Sequence, residues 1–160
     1  MMLIRKFDKS DLNQMIKIWN DIVSEGNAFP QEDILNLESG FEFFSYQSFT
    51  GVAVIDGQIV GLYILHPNNV GRCSHIANAS YAVDAGVRGK HIGKSLVLDS
   101  IERARELNFK ILQFNAVVES NASARHLYES LGFKQLGTIP NGFRLKDGTY
   151  ENICPYFIEL

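Results

Sequence analysis

Apolar side chains at Leu12, Met15, Ile16, Trp19, Ile22 and Val23 follow an i, i+3, i+4, i+7 rhythm, which predicts a helix with one face against a core. Residues 2–7 ahead of it read as a short strand. Asp8, with Asp11 in the first turn, predicts the helix start. Glu25-Gly26-Asn27-Ala28-Phe29-Pro30 breaks the helix, and a second helical segment is predicted through 32–47, with Phe41, Phe43, Phe44 and Tyr46 as its aromatic content. The period then changes. Val52-Ala53-Val54-Ile55 and Ile59-Val60-Gly61-Leu62-Tyr63-Ile64 flank Asp56-Gly57, a pairing of β-prone runs and turn dipeptide that predicts a hairpin.

Pro67-Asn68-Asn69-Val70-Gly71 is the next turn, and His75 to Val83 a further strand, so three antiparallel strands are expected before residue 84. Ile92, Leu96, Val97, Ile101 and Ala104 return to helical spacing, with Asn108 as a C-terminal cap in place of glycine. Lys110 to Val118 reads as a strand buried on both faces. A short helix capped by Ser120 or Asn121 and ended by Gly132 follows. Lys134 to Ile139 and Thr149 to Leu160 are the predicted closing strands, with turns at Pro140-Asn141-Gly142 and Lys146-Asp147-Gly148. No repeat, low-complexity tract or linker interrupts the chain, so one mixed α/β domain over residues 1–160 is expected.

The length of 160 residues suits a single core. Hydrophobic residues at 46% and charged ones at 21% are ordinary for a soluble globular chain. A net charge of −3 gives no general attraction to nucleic acid or anionic membrane. Met1-Met2-Leu3-Ile4-Arg5-Lys6 lacks a signal-peptide core and no apolar run would span a bilayer, so a cytoplasmic protein is expected. Cys73 and Cys154 are isolated, and His66, His75, His91 and His126 form no short ligand pair. Neither a disulfide framework nor a metal is expected.

The chemistry concentrates in Asp84-Ala85-Gly86-Val87-Arg88-Gly89-Lys90-His91-Ile92-Gly93-Lys94-Ser95-Leu96, a glycine-rich, basic turn between a strand end and a helix start. Such a turn aims unpaired backbone N–H groups and the positive end of the helix dipole at one spot, which suits a phosphate. Gly93-Lys94-Ser95 imitates the end of a P-loop, but the glycine that motif needs falls on Arg88. The spacing of Gly86, Gly89 and Gly93 also fails the dinucleotide fingerprint.

The run Arg88-Gly89-Lys90-His91-Ile92-Gly93 resembles the acyl-CoA loop of the GNAT superfamily of N-acetyltransferases, Arg/Gln-x-x-Gly-x-Gly/Ala, with histidine where the first motif glycine usually stands. Asn121, Ala124, Leu127, Tyr128, Gly132 and Phe133 match the second signature of that family, Asn-x-x-Ala-x-x-Leu-Tyr-x-x-x-Gly-Phe, in the family's order. The resemblance implies an α/β (α+β) fold with a mixed, mostly antiparallel central sheet of about six or seven strands flanked by about four helices. It implies acetyl-CoA as cosubstrate, bound by Arg88, Gly89, Lys90, His91, Ile92, Gly93, Lys94 and Ser95, by the backbone of Tyr81, Ala82 and Val83, and by Asn115 and Asn121. A splayed strand at Tyr81–Val83 would offer free N–H groups to pantetheine and to the oxyanion, and Tyr128 would protonate the departing thiolate.

His75–Val83, Gln113–Val118 and Gly137–Arg144 further resemble the subgroup that includes L-azetidine-2-carboxylate (proline-analogue) N-acetyltransferases, in which an asparagine on each of two strands serves the site; Asn78 and Asn115 match them. An asparagine cannot act as a base near neutral pH, so Asn78 would hold the amine or a water that takes its proton. The implied partners are acetyl-CoA and a small primary or secondary amine, with an amino acid or proline analogue in view and a homodimer compatible with the reading. Each residue also has a plainer use: Tyr128 as a core tyrosine, Asn121 as a helix cap, Asn78 as a strand-edge partner. Glu25, Glu32, Asp33, Glu38 and Glu42 serve as a solvated face or in substrate capture. The rival functions are a catalytically silent acyl-CoA module, an acetyltransferase of peptide, protein or polyamine amines, and a nucleotide-phosphate binder.

Overall fold

The alternating and helical periods come out as eight strands and four α-helices in the computed structural model, which describes residues 1–87 and 89–160. Arg88 of the candidate phosphate loop lies outside the described residues. In order these are β1 (Met2–Lys6), α1 (Leu12–Glu25), α2 (Leu37–Tyr46), β2 (Phe49–Ile55), β3 (Gln58–Pro67), β4 (Ile76–Val83), α3 (Ile92–Glu106), β5 (Ile111–Val118), α4 (Ala122–Ser130), β6 (Lys134–Gln135), β7 (Ile139–Arg144) and β8 (Tyr150–Glu159).

Asp8 caps a 3₁₀ turn, Lys9–Asp11, that leads into α1, rather than α1 itself. Asp8 accepts from Ser10 N at 2.9 Å, and Asp11 accepts from Asp8 N at 2.7 Å, so two donors of the first turn are satisfied reciprocally. Asp11 is buried and takes both arms of the Arg5 guanidinium at 2.7 and 3.0 Å. The bonds from Arg5 hold its carboxyl below the ordinary range against the cost of burial, and the Asp8 bond adds to them. A carboxyl depressed in the folded state contributes fully above its unfolded value of about 3.9 and loses that contribution as pH falls through the folded value. Urea titrations are therefore expected to show this contribution intact at neutral pH and declining below about pH 4. Asp11→Asn should be less stable at neutral pH and should lose less on acidification. An unchanged acid decline in that variant would assign it to other carboxylates.

Gly26, at φ 69°, closes α1 in the left-handed conformation. Trp19 then collects Phe29, Phe43 and Phe44, with ring centroids at 4.4, 5.2 and 5.8 Å. The second helix is shorter than the predicted 32–47. Asn36 and Ser39 form a reciprocal cap at 2.9 Å each, and the Asn20 side chain of α1 takes both the N–H and the carbonyl of Leu35. Residues so pinned cannot join the helix, and α2 starts at Leu37.

β2 and β3 close through Asp56 and Gly57, with φ of 49° and 76°, the two left-handed positions of a type I′ turn. The sheet runs β1-β2-β3-β4-β5-β8-β6, with β7 also paired to β8. β1 to β4 are antiparallel neighbours throughout; β4 and β5 are parallel. The expected closing strand Lys134–Ile139 is split, with β6 ending at Gln135. Pro140-Asn141-Gly142, predicted as a turn, lies inside β7, where Asn141 at φ 55° sits in a bulge and its N–H goes to the Asn152 side chain at 3.0 Å. A side chain at Gly142 would stand 2.5 Å from Ile153, so only glycine lets β7 approach β8 there.

Two layers cover the sheet. Leu12, Met15, Ile18, Trp19 and Val23 of α1 pack on Val52, Leu62, Ile64 and Ala82. Ile92, Leu96, Val97, Ile101 and Ala104 of α3 pack on Tyr63, Leu65, Ala77, Ala79, Leu112 and Phe114 of the other face. Asn108, at φ 65°, ends α3 as predicted.

Candidate active site

β4 and β5 pair only from Ile76 to Asn78 and from Ile111 to Gln113, and then part. A bulge in the β5–β8 pairing between Phe114 and Val117 bends β5 away. β5 is therefore not buried on both faces as its composition suggested: Leu112, Phe114 and Val118 are buried, whereas Asn115 is exposed. The gap is a groove of about 980 Å³ lined from both faces of the sheet. Leu127 and Tyr128 of α4 and Ile92 and Gly93 of α3 line it on one side; Ile22, Phe29, Asn78 and Ser80 line it on the other.

Which backbone groups face the gap follows from pairing parity. Asp84 donates to Val60 at 2.9 Å, and residues of an antiparallel ladder alternate between neighbours. Ala82, Ser80 and Asn78 thus turn their N–H and carbonyl to β3, whereas Val83, Tyr81 and Ala79 turn theirs toward the gap. Tyr81 and Val83 line the groove, and Ala82, buried against α1, does not.

The glycine-rich loop reaches the groove through Gly89, His91, Ile92, Gly93 and Lys94. His91 precedes α3 in the left-handed conformation, φ 56°, a cost of order 1–2 kcal/mol for a non-glycine residue. Its side chain caps nothing, so the first-turn N–H groups of α3 have no side-chain acceptor among the described residues. A Cβ on Gly93 would meet only Leu127, at 3.9 Å; packing does not require glycine there, but close approach of an anion to the main chain does. Lys90 is exposed outside the groove, and Ser95 turns its hydroxyl back to the His91 carbonyl at 3.1 Å. Both were expected to bind cofactor, and neither lines the groove.

Tyr128 is held by Phe114 at 4.5 Å and Phe133 at 5.8 Å between ring centroids. Among the described residues its hydroxyl has no hydrogen-bond partner, and burial raises its pKa well above the tyrosine range. It stays protonated at neutral pH. Tyr81 differs: its hydroxyl is committed to Ser100 at 2.7 Å, and burial raises its pKa too. Asn121 caps α4 by accepting from Ala124 N at 3.3 Å, and it also lines the groove. Asn78 donates to the Gln113 carbonyl at 2.9 Å, where the strands part. That bond spends an N–H and leaves its side-chain oxygen as an acceptor in the groove. Asn115 is oriented by Gln113 at 3.0 Å and Asn68 at 2.6 Å.

Glu25, Asn27, Ser80 and Glu151 line the groove as well, and the sequence singled out none but Glu25. Glu151 lies opposite Phe143 in the β7–β8 pair, and no motif marks it. Of the acidic residues of 24–46 only Glu25 reaches the groove, and Glu32 pairs with Arg144. Among the described residues no group of three or more His, Cys, Asp and Glu is placed to hold a metal ion, and no helix is long and apolar enough to cross a membrane.

A parted parallel strand pair, a glycine-rich helix start at one end and a tyrosine hydroxyl between them make up the groove. The family described as Acetyltransferase (GNAT) family matches residues 12–133, and the chain belongs to it. A solved GCN5-related N-acetyltransferase from Kribbella flavida is 32% identical, with a TM-score of 0.91 over 99% of this chain and 98% of that one. A solved phosphinothricin acetyltransferase from Sinorhizobium meliloti, in complex with AcCoA, is 21% identical, with a TM-score of 0.92 over 99% and 88%. The N-acetyltransferase aca1 of Schizosaccharomyces pombe is 36% identical over 88 residues, 55% of this chain and 42% of that protein. The chain spans less than half the length of the curated relatives it matches.

Proposed function

We propose that residues 1–160 form one N-acetyltransferase domain that moves the acetyl group of acetyl-CoA to the primary or secondary amine of a small molecule, an amino acid or proline analogue in particular. The observation that carries this reading is the single groove joining the free N-terminus of α3, the gap-facing backbone of Tyr81 and Val83, and the unpartnered Tyr128 hydroxyl. The family and the AcCoA-bound Sinorhizobium meliloti structure support acetyl-CoA as the donor. The phosphates lie against Gly89, His91, Gly93 and Lys94, and pantetheine runs along β4. The amine enters from the α1 side, past Asn78 and Ser80, and attacks unprotonated. Backbone N–H groups of the gap hold the oxyanion.

Tyr128 serves the departing sulfur. Burial keeps its proton in place. Its hydrogen bond to the sulfur strengthens as the C–S bond breaks and charge grows on the thiolate, which takes the proton, and the proton shed by the acetylated amine restores the hydroxyl. Asn78 offers its free oxygen to the amine N–H, and Asn115 offers an amide donor to an acceptor carboxylate.

Glu25 and Glu151 favour a second reading, in which the acceptor carries further positive charge, as a polyamine or a peptide amine does. A competition separates the two. With acetyl-CoA and equal concentrations of L-azetidine-2-carboxylate, spermidine and a short peptide, acetylated azetidine carboxylate is the expected main product. Asn78→Ala should suppress it without abolishing CoA binding. Predominant acetylspermidine, lost in Glu151→Gln, would move the assignment to the carboxylates.

A further inference from the structure

α4 carries Asn121 and Tyr128 within or beside its 9 residues, yet none of those residues is fully buried. So short a helix depends on its tertiary contacts to stay formed and placed. One side chain ties it down. Arg125 Nε donates to the Tyr156 hydroxyl of β8 at 3.1 Å, Nη1 to the Glu119 carbonyl beyond β5 at 3.1 Å, and Nη2 to Gln135 of β6 at 3.2 Å. The Tyr156 hydroxyl in turn donates to the carboxylate of Glu129, the next residue after Tyr128, at 2.8 Å. Tyr156 is wholly buried, so the network is anchored in the core rather than at the surface. A planar guanidinium can serve three directions at once, whereas a lysine ammonium at the end of a flexible stem cannot hold the same fork. Arg125 itself does not line the groove.

We propose that Arg125 is a positioning residue for the acetyl transfer, holding α4 to β5, β6 and β8 so that the Tyr128 hydroxyl stays aimed into the groove. The proposal rests on the reading of Tyr128 as the group that serves the departing thiolate. Displacing a reacting group by about 1 Å costs on the order of 10²-fold in rate. Without the guanidinium α4 keeps its packing on Phe114 and Phe133 and the Tyr156–Glu129 bond, but loses its ties to the Glu119 carbonyl and to Gln135 of β6.

The test is a double-mutant cycle on thiol release from acetyl-CoA, with water alone and with L-azetidine-2-carboxylate as acceptor, since the thiolate departs in both. Arg125→Met is expected to lower kcat by about 10²-fold, with KM for acetyl-CoA within about twofold of wild type. Arg125→Lys should fall between. In a Tyr128→Phe background Arg125→Met should cost almost nothing more, because the group it positions is gone. The same factor lost in both backgrounds would overturn the proposal and leave Arg125 a fold-holding residue, as would wild-type turnover in Arg125→Met. If the methionine variant does not melt as a folded protein, Arg125→Lys carries the same cycle. A slow Tyr128→Phe enzyme with additive losses sinks this proposal alone; a Tyr128→Phe enzyme at wild-type rate sinks the thiolate reading as well.

Discussion

Replacing Tyr128 by phenylalanine is expected to lower kcat by about 10²–10⁴-fold, the usual loss when a general acid is removed, while acetyl-CoA binds nearly as well. The ring is placed by Phe114 and Phe133, at 4.5 and 5.8 Å, and those contacts survive in phenylalanine. The hydroxyl is the only part lost, and among the described residues it bonds to nothing in the folded chain. Its removal should therefore cost little stability. A residue kept for packing would show the opposite pattern, with turnover intact. Measuring kcat with the chemical step rate-limiting, beside a melting curve of the same variant, distinguishes the two. Wild-type turnover would make Tyr128 part of the core and no more.

Gly93→Asp should abolish most acetyl-CoA binding while leaving the fold intact. The position tolerates a side chain, since a Cβ meets only Leu127 at 3.9 Å. An aspartate in the first turn of a helix also suits the dipole, so thermal stability should hold or rise slightly. In the groove, however, the carboxylate would occupy the spot at the α3 N-terminus proposed for the cofactor phosphates. Like charges forced together cost several kcal/mol, which is about 10²-fold or more in Kd. Gly93→Ala adds the bulk without the charge and should weaken binding far less. Calorimetric titration with CoA measures both, and unchanged affinity in a folded Gly93→Asp protein would remove the loop from the site.

Features of this chain that depend on neighbours in sequence were legible before the fold. Asp56-Gly57 turns because those two residues accept the conformations a type I′ hairpin imposes. Asp8 and Asp11 cap each other three residues apart, and Gly132 ends α4 at φ 94°. The loop and α4 signatures meet across one groove because each is a continuous run. Features that depend on distant partners were not legible. Asn20 decides where α2 begins by taking the backbone of Leu35, and Asn152 and Ile153 decide that Pro140–Gly142 stays in a strand. Strand parity separates Tyr81 and Val83, which face the gap, from Ala82, which faces β3, although the three stand together in the motif. Glu151 reaches the groove from β8, where it pairs with Phe143 of β7, a pairing of strands that no local motif marks. The loop and α4 edges of the groove come from local sequence; the edge formed by Glu151, Asn78 and Asn115 comes from tertiary geometry.

Acetyl transfer itself, as opposed to silent binding of a thioester, is tested most directly by mass spectrometry of the acceptor. The protein would be incubated with acetyl-CoA carrying a deuterated acetyl group and a mixture of amines, amino acids and peptides, with free CoA measured in parallel. The account predicts deuterated acetyl on an amine nitrogen, in step with CoA release, and the loss of both in Tyr128→Phe. Tight binding of acetyl-CoA with no acetylated amine in any class would contradict it and leave the groove a thioester-binding site without catalysis.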